Sequence, residues 1–181
     1  YGSAQAQYDY ASGSITTALL GTPLTASTYG KFGSGALLAA SQGWSYVPPA
    51  SYPIGASDRT IEFWVKPSHE NAAREIVFSY GSNVGLQAFA VGIQSNQAYL
   101  TFWTSEVLSG TTDFTVGEWH LVQATYDGTT AKMYVNGVEK ISAVRTLNTV
   151  LTWAVIGGFS GFAGSENFQG NIAQLKMYDR V

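Results

Sequence analysis

The stretch Gly117-Glu118-Trp119-His120-Leu121-Val122-Gln123-Ala124-Thr125-Tyr126-Asp127-Gly128, continued by Thr129-Thr130-Ala131-Lys132-Met133-Tyr134-Val135-Asn136-Gly137, decides the fold. Trp119 to Tyr126 is long enough for one strand. It stops at Asp127-Gly128, two residues that tolerate positive φ and so mark a hairpin turn. Ala131 to Val135 stops at Asn136-Gly137, the same signal again, and Val138 to Ser142 is its return strand. Successive hairpins of this kind build antiparallel sheet.

Outward from there the pattern repeats. Thr60 to Lys66 alternates, with Ile61, Phe63 and Val65 on one face and Glu62, Trp64 and Lys66 on the other. Pro67 ends that strand because it lacks a ladder donor. Glu75 to Ser79 reads as a further strand. Leu86 to Gln94 sets Phe89, Val91 and Ile93 against Ala88, Ala90 and Gly92. Asn96-Gln97 reads as a turn into Tyr99 to Thr104. Val150 to Gly157 and Ile172 to Tyr178 complete the set, and Phe159 to Phe168 reads as a loop. Helical periodicity is poor, Ser68 to Arg74 being the one short candidate. Roughly ten to twelve short strands, with turn signals every 8–12 residues, predict an antiparallel sandwich or barrel.

Composition agrees. Of 181 residues, 45% are apolar, 14% aromatic and only 12% charged. That excludes a disordered chain. Nine Lys and Arg against twelve Asp and Glu give a net charge of −3, the wrong balance for a nucleic-acid binder. No apolar run reaches membrane-spanning length. With no cysteine, thiol catalysis, disulfides and Cys-ligated zinc are excluded together. The chain begins at Tyr1 with no signal-peptide pattern, which predicts a processed product, a fragment or a late start. Residues 1–30, nearly uncharged, read as an N-terminal arm or first strand, and 31–181 as one domain. Tyr8, Tyr10, Ile15, Ala18, Leu19 and Leu20 would need cover, from the chain's own sandwich or from a neighbour in a homo-oligomer.

Three stretches resemble the laminin-G-like jelly-roll family of the concanavalin A-like lectin/glucanase superfamily. Lys31-Phe32-Gly33-Ser34-Gly35-Ala36-Leu37, then Tyr46-Val47-Pro48 and Thr60 to Pro67, resemble its lead into a "TIEFWVKP" strand. Gly117 to Gly137 resembles its "GxWHxVAxTYDG…YVNG" hairpins. Phe168-Gln169-Gly170-Asn171-Ile172, running to Met177-Tyr178-Asp179-Arg180, resembles its closing strand. The resemblance implies an all-β, two-sheet antiparallel jelly-roll sandwich. It does not fix function, because one fold hosts many.

Relatives that bind calcium often carry acids where this chain has Ala40 and Ala173. Calcium prefers several hard oxygen ligands, carboxylates included. The expectation is therefore no cofactor, with a calcium site of other oxygens left open. Glucanases of the superfamily carry Glu-x-Asp-x-x-Glu on one strand, which aims two carboxylates into one groove. This chain has no such string. Glu62 is followed on its face by Trp64 and Lys66, while Glu70 and Glu75 read as solvated. His69 and His120, the only histidines, lack partners at ligand spacing, so neither a metal nor a catalytic site is assigned.

Aromatics remain as candidates for binding. Sugar rings stack on Trp, Tyr and Phe. Tyr99 and Trp103, sharing a face with Thr101, together with Trp153, Phe159 and Phe162, are the candidate ligand-binding residues. The reading is a non-catalytic recognition or adhesion module, extracellular or on a virion surface, with a glycan or cell-surface polymer as partner. The alternative is a structural subunit of a phage appendage or filament, with a glycoside hydrolase behind both. Chelators should leave the melting temperature unchanged, whereas a linked ion at a hundred times its Kd would add about 2.7 kcal/mol. A rise of several degrees on adding calcium would reveal a site at other positions.

Overall fold

The computed structural model of the chain describes residues 17–18, 24–70, 73–159 and 166–181. Among them lie fourteen strands and no helix. In order these are β1 (Thr17–Ala18), β2 (Leu24–Gly30), β3 (Gly33–Leu38), β4 (Trp44–Tyr46) and β5 (Arg59–Pro67). Next come β6 (Arg74–Gly81), β7 (Ala88–Gln94), β8 (Gln97–Thr101), β9 (Glu106–Leu108) and β10 (His120–Tyr126). The last are β11 (Thr130–Val135), β12 (Val138–Val144), β13 (Trp153–Ile156) and β14 (Gly170–Tyr178). They form two seven-stranded sheets, ordered β1-β4-β13-β6-β7-β8-β9 and β12-β11-β10-β5-β14-β3-β2. Neighbouring strands are antiparallel throughout both sheets. This is the expected jelly-roll sandwich.

The alternation read in β5 is the observed one. Ile61, Phe63 and Val65 are buried between the sheets, while Glu62, Trp64 and Lys66 face outward. Outside, Glu62 accepts from Gln123 Nε2 at 2.9 Å and pairs with Lys176 at 3.3 Å, a cross-strand polar ladder. Asn136 and Gly137 form the expected two-residue turn, with φ of 52° and 80° and Val135 opposite Val138.

Several details differ from expectation. Asp127 and Gly128 belong to a three-residue connection, because Asp127 Oδ1 accepts from the amides of both Thr129 and Thr130 and widens the turn. The turn placed at Asn96-Gln97 falls one residue earlier, on Ser95 and Asn96, whose φ values are 53° and 56°. Among the described residues of Ser68 to Arg74 none is helical. Ser68 and His69 are bends, and Arg74 already opens β6. Glu75 is not solvated: it is buried on β6, where Oε2 accepts the Gln169 amide at 3.0 Å and Oε1 lies 2.9 Å from His69.

The start of the chain joins the sandwich where it is described. Thr17 and Ala18 pair with Ser45 and Trp44 at the edge of the first sheet, and β2 pairs with β3. Tyr8, Tyr10, Ile15, Leu19 and Leu20 lie outside the described residues. Among those described, no helix is long and apolar enough to cross a membrane.

Arg59 is fully buried between the sheets, and among the described residues no carboxylate pairs with it. Its five N–H groups are nevertheless all used. Nε donates to the Ser57 carbonyl at 3.0 Å, and Nη2 to the Gly55 and Ser57 carbonyls at 2.8 and 2.7 Å. Nη1 donates to Tyr80 Oη at 2.9 Å and Thr149 Oγ1 at 2.7 Å. The Tyr126 and Phe89 rings lie 5.2 and 5.7 Å from the guanidinium carbon. Tyr80 passes the chain on, donating to the Pro53 carbonyl at 3.0 Å. One side chain thus ties β5 to β6 across the core and fixes the segment before β13.

Lysine has three donors for these four acceptor atoms, so Arg59→Lys strands at least one of them. At about 2 kcal/mol and 2–4 °C per kcal/mol for a chain of this size, melting should fall by about 4–8 °C. A melting temperature within a degree of the parent would contradict this role. Burial also pushes the Tyr80 phenol up to about 12, against the pull of Arg59. The folded chain holds that proton while the unfolded chain loses it near the ordinary value of about 10. Stability should therefore be intact below pH 10 and fall by about 3 kcal/mol toward pH 12. Denaturant midpoints that stay flat across that window would contradict it.

Candidate functional site

The central strands of the first sheet, β6, β7, β8 and β13, are buried on both faces. Their inner residues, among them Phe89, Val91, Ala98 and Leu100, join the main core. Alternate positions point the other way and form a second, smaller cluster of Ile76, Ala88, Ala90, Tyr99, Trp153 and Val155. The 157–159 turn lays Phe159 over this outer face, with Ser79 Oγ donating to the Gly158 carbonyl at 2.7 Å. Phe159 packs against Trp153 and Trp103, ring centroids 4.9 and 5.1 Å away.

Beside this cluster opens a pocket of about 220 Å³. Thr101, Phe159 and Glu166 are its buried members, Trp103 and Arg74 are half-buried, and Thr104 and Glu106 stand at the exposed rim. The chain makes it from three further places besides Phe159. β6 supplies Arg74. The β8–β9 hairpin supplies Thr101 to Glu106. The segment from Glu166 runs beside Ile76, whose amide donates to the Glu166 carbonyl at 2.9 Å.

The hairpin tip is strained. Phe102 and Ser105 close it with a 2.9 Å backbone hydrogen bond, which leaves Trp103 and Thr104 as central residues at φ of 59° and 56°. Such turns ordinarily use Asn or Gly, and a bulky residue there is an outlier costing about 1–3 kcal/mol. The conformation turns Trp103 onto Phe159 and into the pocket wall.

Arg74 sits between two carboxylates. Nε donates to Glu166 Oε1 at 2.7 Å, Nη2 contacts the same oxygen, and Nη1 donates to Glu106 Oε1 at 2.5 Å. Together the three charges leave the pocket with one net negative charge. The Tyr99 hydroxyl lies beneath, close to Arg74 and Glu106 but aligned for a good hydrogen bond with neither. Burial, helped by Glu106, pushes this phenol up to about 12, and Arg74 pulls it back.

Four of the five candidate aromatics therefore meet at this face, in two roles. Trp103 and Phe159 line the pocket. Tyr99 and Trp153 lie under it in the packed cluster, so the open polar face read for Tyr99, Thr101 and Trp103 is covered at Tyr99. Phe162 lies outside the described residues. Sequence reading missed Arg74, Glu106 and Glu166, which are 32 and 92 positions apart from their partners and carry no local motif. A second aromatic patch lies on the outer face of the other sheet. There Phe32 meets the Trp64 ring edge-on at 5.5 Å, with Lys31 Nζ 5.3 Å from that ring.

His120 is a packing residue, whereas the half-exposed His69 lies 2.9 Å from Glu75 Oε1. His120 is buried edge-on against Phe114, and its Nδ1 faces Asn136 Nδ2 at 3.2 Å. Ala40 is exposed and Ala173 is buried. Among the described residues no three His, Asp or Glu side chains converge as metal ligands.

Solved structures share this architecture. Domain 4 of an extracellular GH43 arabinanase from Geobacillus stearothermophilus, in complex with arabinotriose, superposes with a TM-score of 0.65 at 19% identity, covering 88% of this chain and 76% of that one. The CBM40 of the Ruminococcus gnavus IT-sialidase, bound to α2,3 sialyllactose, gives 0.65 at 16% identity, over 81% and 90%. The binding domain of Paraclostridial Mosquitocidal Protein 1 gives 0.68 at 14% identity, over 88% of this chain but only 42% of that one. At these identities the likeness is one of fold. No curated protein matches the chain in sequence. A laminin-G-type profile described as the concanavalin A-like lectin/glucanases superfamily matches residues 40–181. The chain belongs to that superfamily.

Proposed function

We propose that this chain is a non-catalytic glycan-binding module that takes one sugar residue into the pocket beside Trp103. The observation that carries the reading is the strained tip of the β8–β9 hairpin. Trp103 is held in a backbone conformation that a bulky residue avoids, and the result is an aromatic wall beside polar side chains. Strain of this kind collects at functional sites. Apolar ring faces with a few convergent polar groups are what a pyranose needs. At about 220 Å³ the pocket is smaller than the 300–1,000 Å³ of drug-sized sites, which suits a single ring rather than a long groove.

One feature supports binding over hydrolysis. Both carboxylates accept from one guanidinium, whereas glycoside hydrolysis needs one carboxyl free to give a proton. Solved neighbours captured with arabinotriose and with sialyllactose show that this fold carries sugars elsewhere. The arabinanase is an extracellular protein, and the same compartment is proposed here.

Trp103→Gly separates site from scaffold. Glycine is preferred at that turn position, which offsets part of the lost packing, so melting should change by only a few degrees. On a glycan array the parent should bind, and the variant should lose about tenfold or more in affinity, the equivalent of about 1.5 kcal/mol of ring stacking. Binding that survives the substitution would move the site elsewhere.

A further inference from the structure

We infer that the pocket selects uncharged sugar residues and discriminates against sugars that carry a carboxylate. The inference rests on the glycan-binding reading of this pocket and adds the chemistry of its ligand. A protein that recognises an anionic sugar ordinarily offers the forked face of an arginine, whose paired N–H groups match the two oxygens of a carboxylate. The arginine of this pocket has already committed that face. Arg74 Nε and Nη2 both point at Glu166 Oε1, and Nη1 is taken by Glu106. Glu166 is buried, so its charge is weakly screened, and it stays with Arg74 rather than yielding to a ligand.

An incoming carboxylate would meet a wall of one net negative charge whose Nε–Nη2 fork is already taken by Glu166. Like charges brought together at a binding surface cost several kcal/mol. The next cation along the hairpin does not change this. Arg145 donates to Ser105 Oγ at 2.9 Å and to the Val144 carbonyl at 2.8 Å, and it is not among the lining residues.

A neutral sugar meets the opposite situation. Its hydroxyls are donors as well as acceptors. Each glutamate engages Arg74 through Oε1, and a carboxylate has further lone pairs to accept a hydroxyl. Thr101 and Thr104 add hydroxyls that give or take a proton. The Trp103 and Phe159 rings supply the apolar face. The Arg74 clamp thus acts as a rigid, pre-paired acceptor wall, not as an anion receptor.

The test is an array of matched glycans in which neutral saccharides stand beside derivatives bearing sialic or uronic acid, such as lactose beside 3′-sialyllactose. It is probed with the parent chain, Trp103→Gly and Glu106→Gln. Glu106 is exposed, so its isosteric amide leaves the fold intact while removing one negative charge from the wall. The expected hits are neutral glycans whose binding is lost in Trp103→Gly. Glu106→Gln should narrow the preference for the neutral member of each pair by about fivefold, a shift of about 1 kcal/mol. Trp103-dependent hits bearing a carboxylate would overturn the selectivity and leave the glycan reading standing. Neutral hits whose preference does not move in Glu106→Gln would overturn the charge mechanism. An array with no Trp103-dependent hit would overturn the glycan reading itself.

Discussion

A buried guanidinium that pairs with no carboxylate among the described residues organises this sandwich. Burying an arginine is unfavourable unless each donor finds an acceptor. Arg59 solves that with carbonyls and hydroxyls drawn from three separate stretches, at positions 55 and 57, 80, and 149. The contacts are mutually exacting. Tyr80 must be on β6, opposite β5, and Thr149 must come back to bridge Gly55 before β13 begins. Once those elements are fixed, so are the ends of the two strands that carry the site, Arg74 at the start of β6 and Trp153 at the start of β13. The aromatic rings on either side of the guanidinium complete the seat.

The second constraint is that the central strands of the first sheet have little exposed face to spare. Their outer side is covered by a small cluster of its own, and among the described residues a recess opens beside Trp103. The gap mixes charged and hydroxyl side chains with its aromatics, where the inner core is apolar. A charged triad closes one wall, and two stacked aromatics close another. Strain in the hairpin tip and burial of Glu166 both work against stability, yet both shape this one recess. That coincidence separates the pocket from the patch at Phe32 and Trp64, which is open and backed by an ordinary strand.

Much of the fold could be read from residues because its determinants are local. Alternation at Ile61, Phe63 and Val65, and the left-handed tolerance of Asn136-Gly137, act over a few positions. Turn lengths were harder. The extra residue after Asp127 depends on where its carboxylate finds amides. The site was legible only in its aromatics. Trp103 and Tyr99 look alike in the alternation of residues 99–103, and only the left-handed turn parts one from the other. Glu75 reads as a loop acid because nothing near it in sequence reveals the Gln169 amide that holds it. Arg74, Glu106 and Glu166 assemble from distant strands, and Arg59 finds Tyr80 and Thr149 across 21 and 90 positions. Spacing cannot announce contacts of that range.

Membership of a superfamily that hosts both lectins and glucanases leaves the site to decide function. The most direct measurement is a map of backbone and indole amide chemical shifts as a glycan retained by the folded chain is titrated in. The account predicts that the largest changes fall on Thr101, Trp103, Thr104 and Glu106, the Trp103 indole among them. Changes confined to Lys31, Phe32 and Trp64 on the opposite sheet, with the pocket silent, would contradict it.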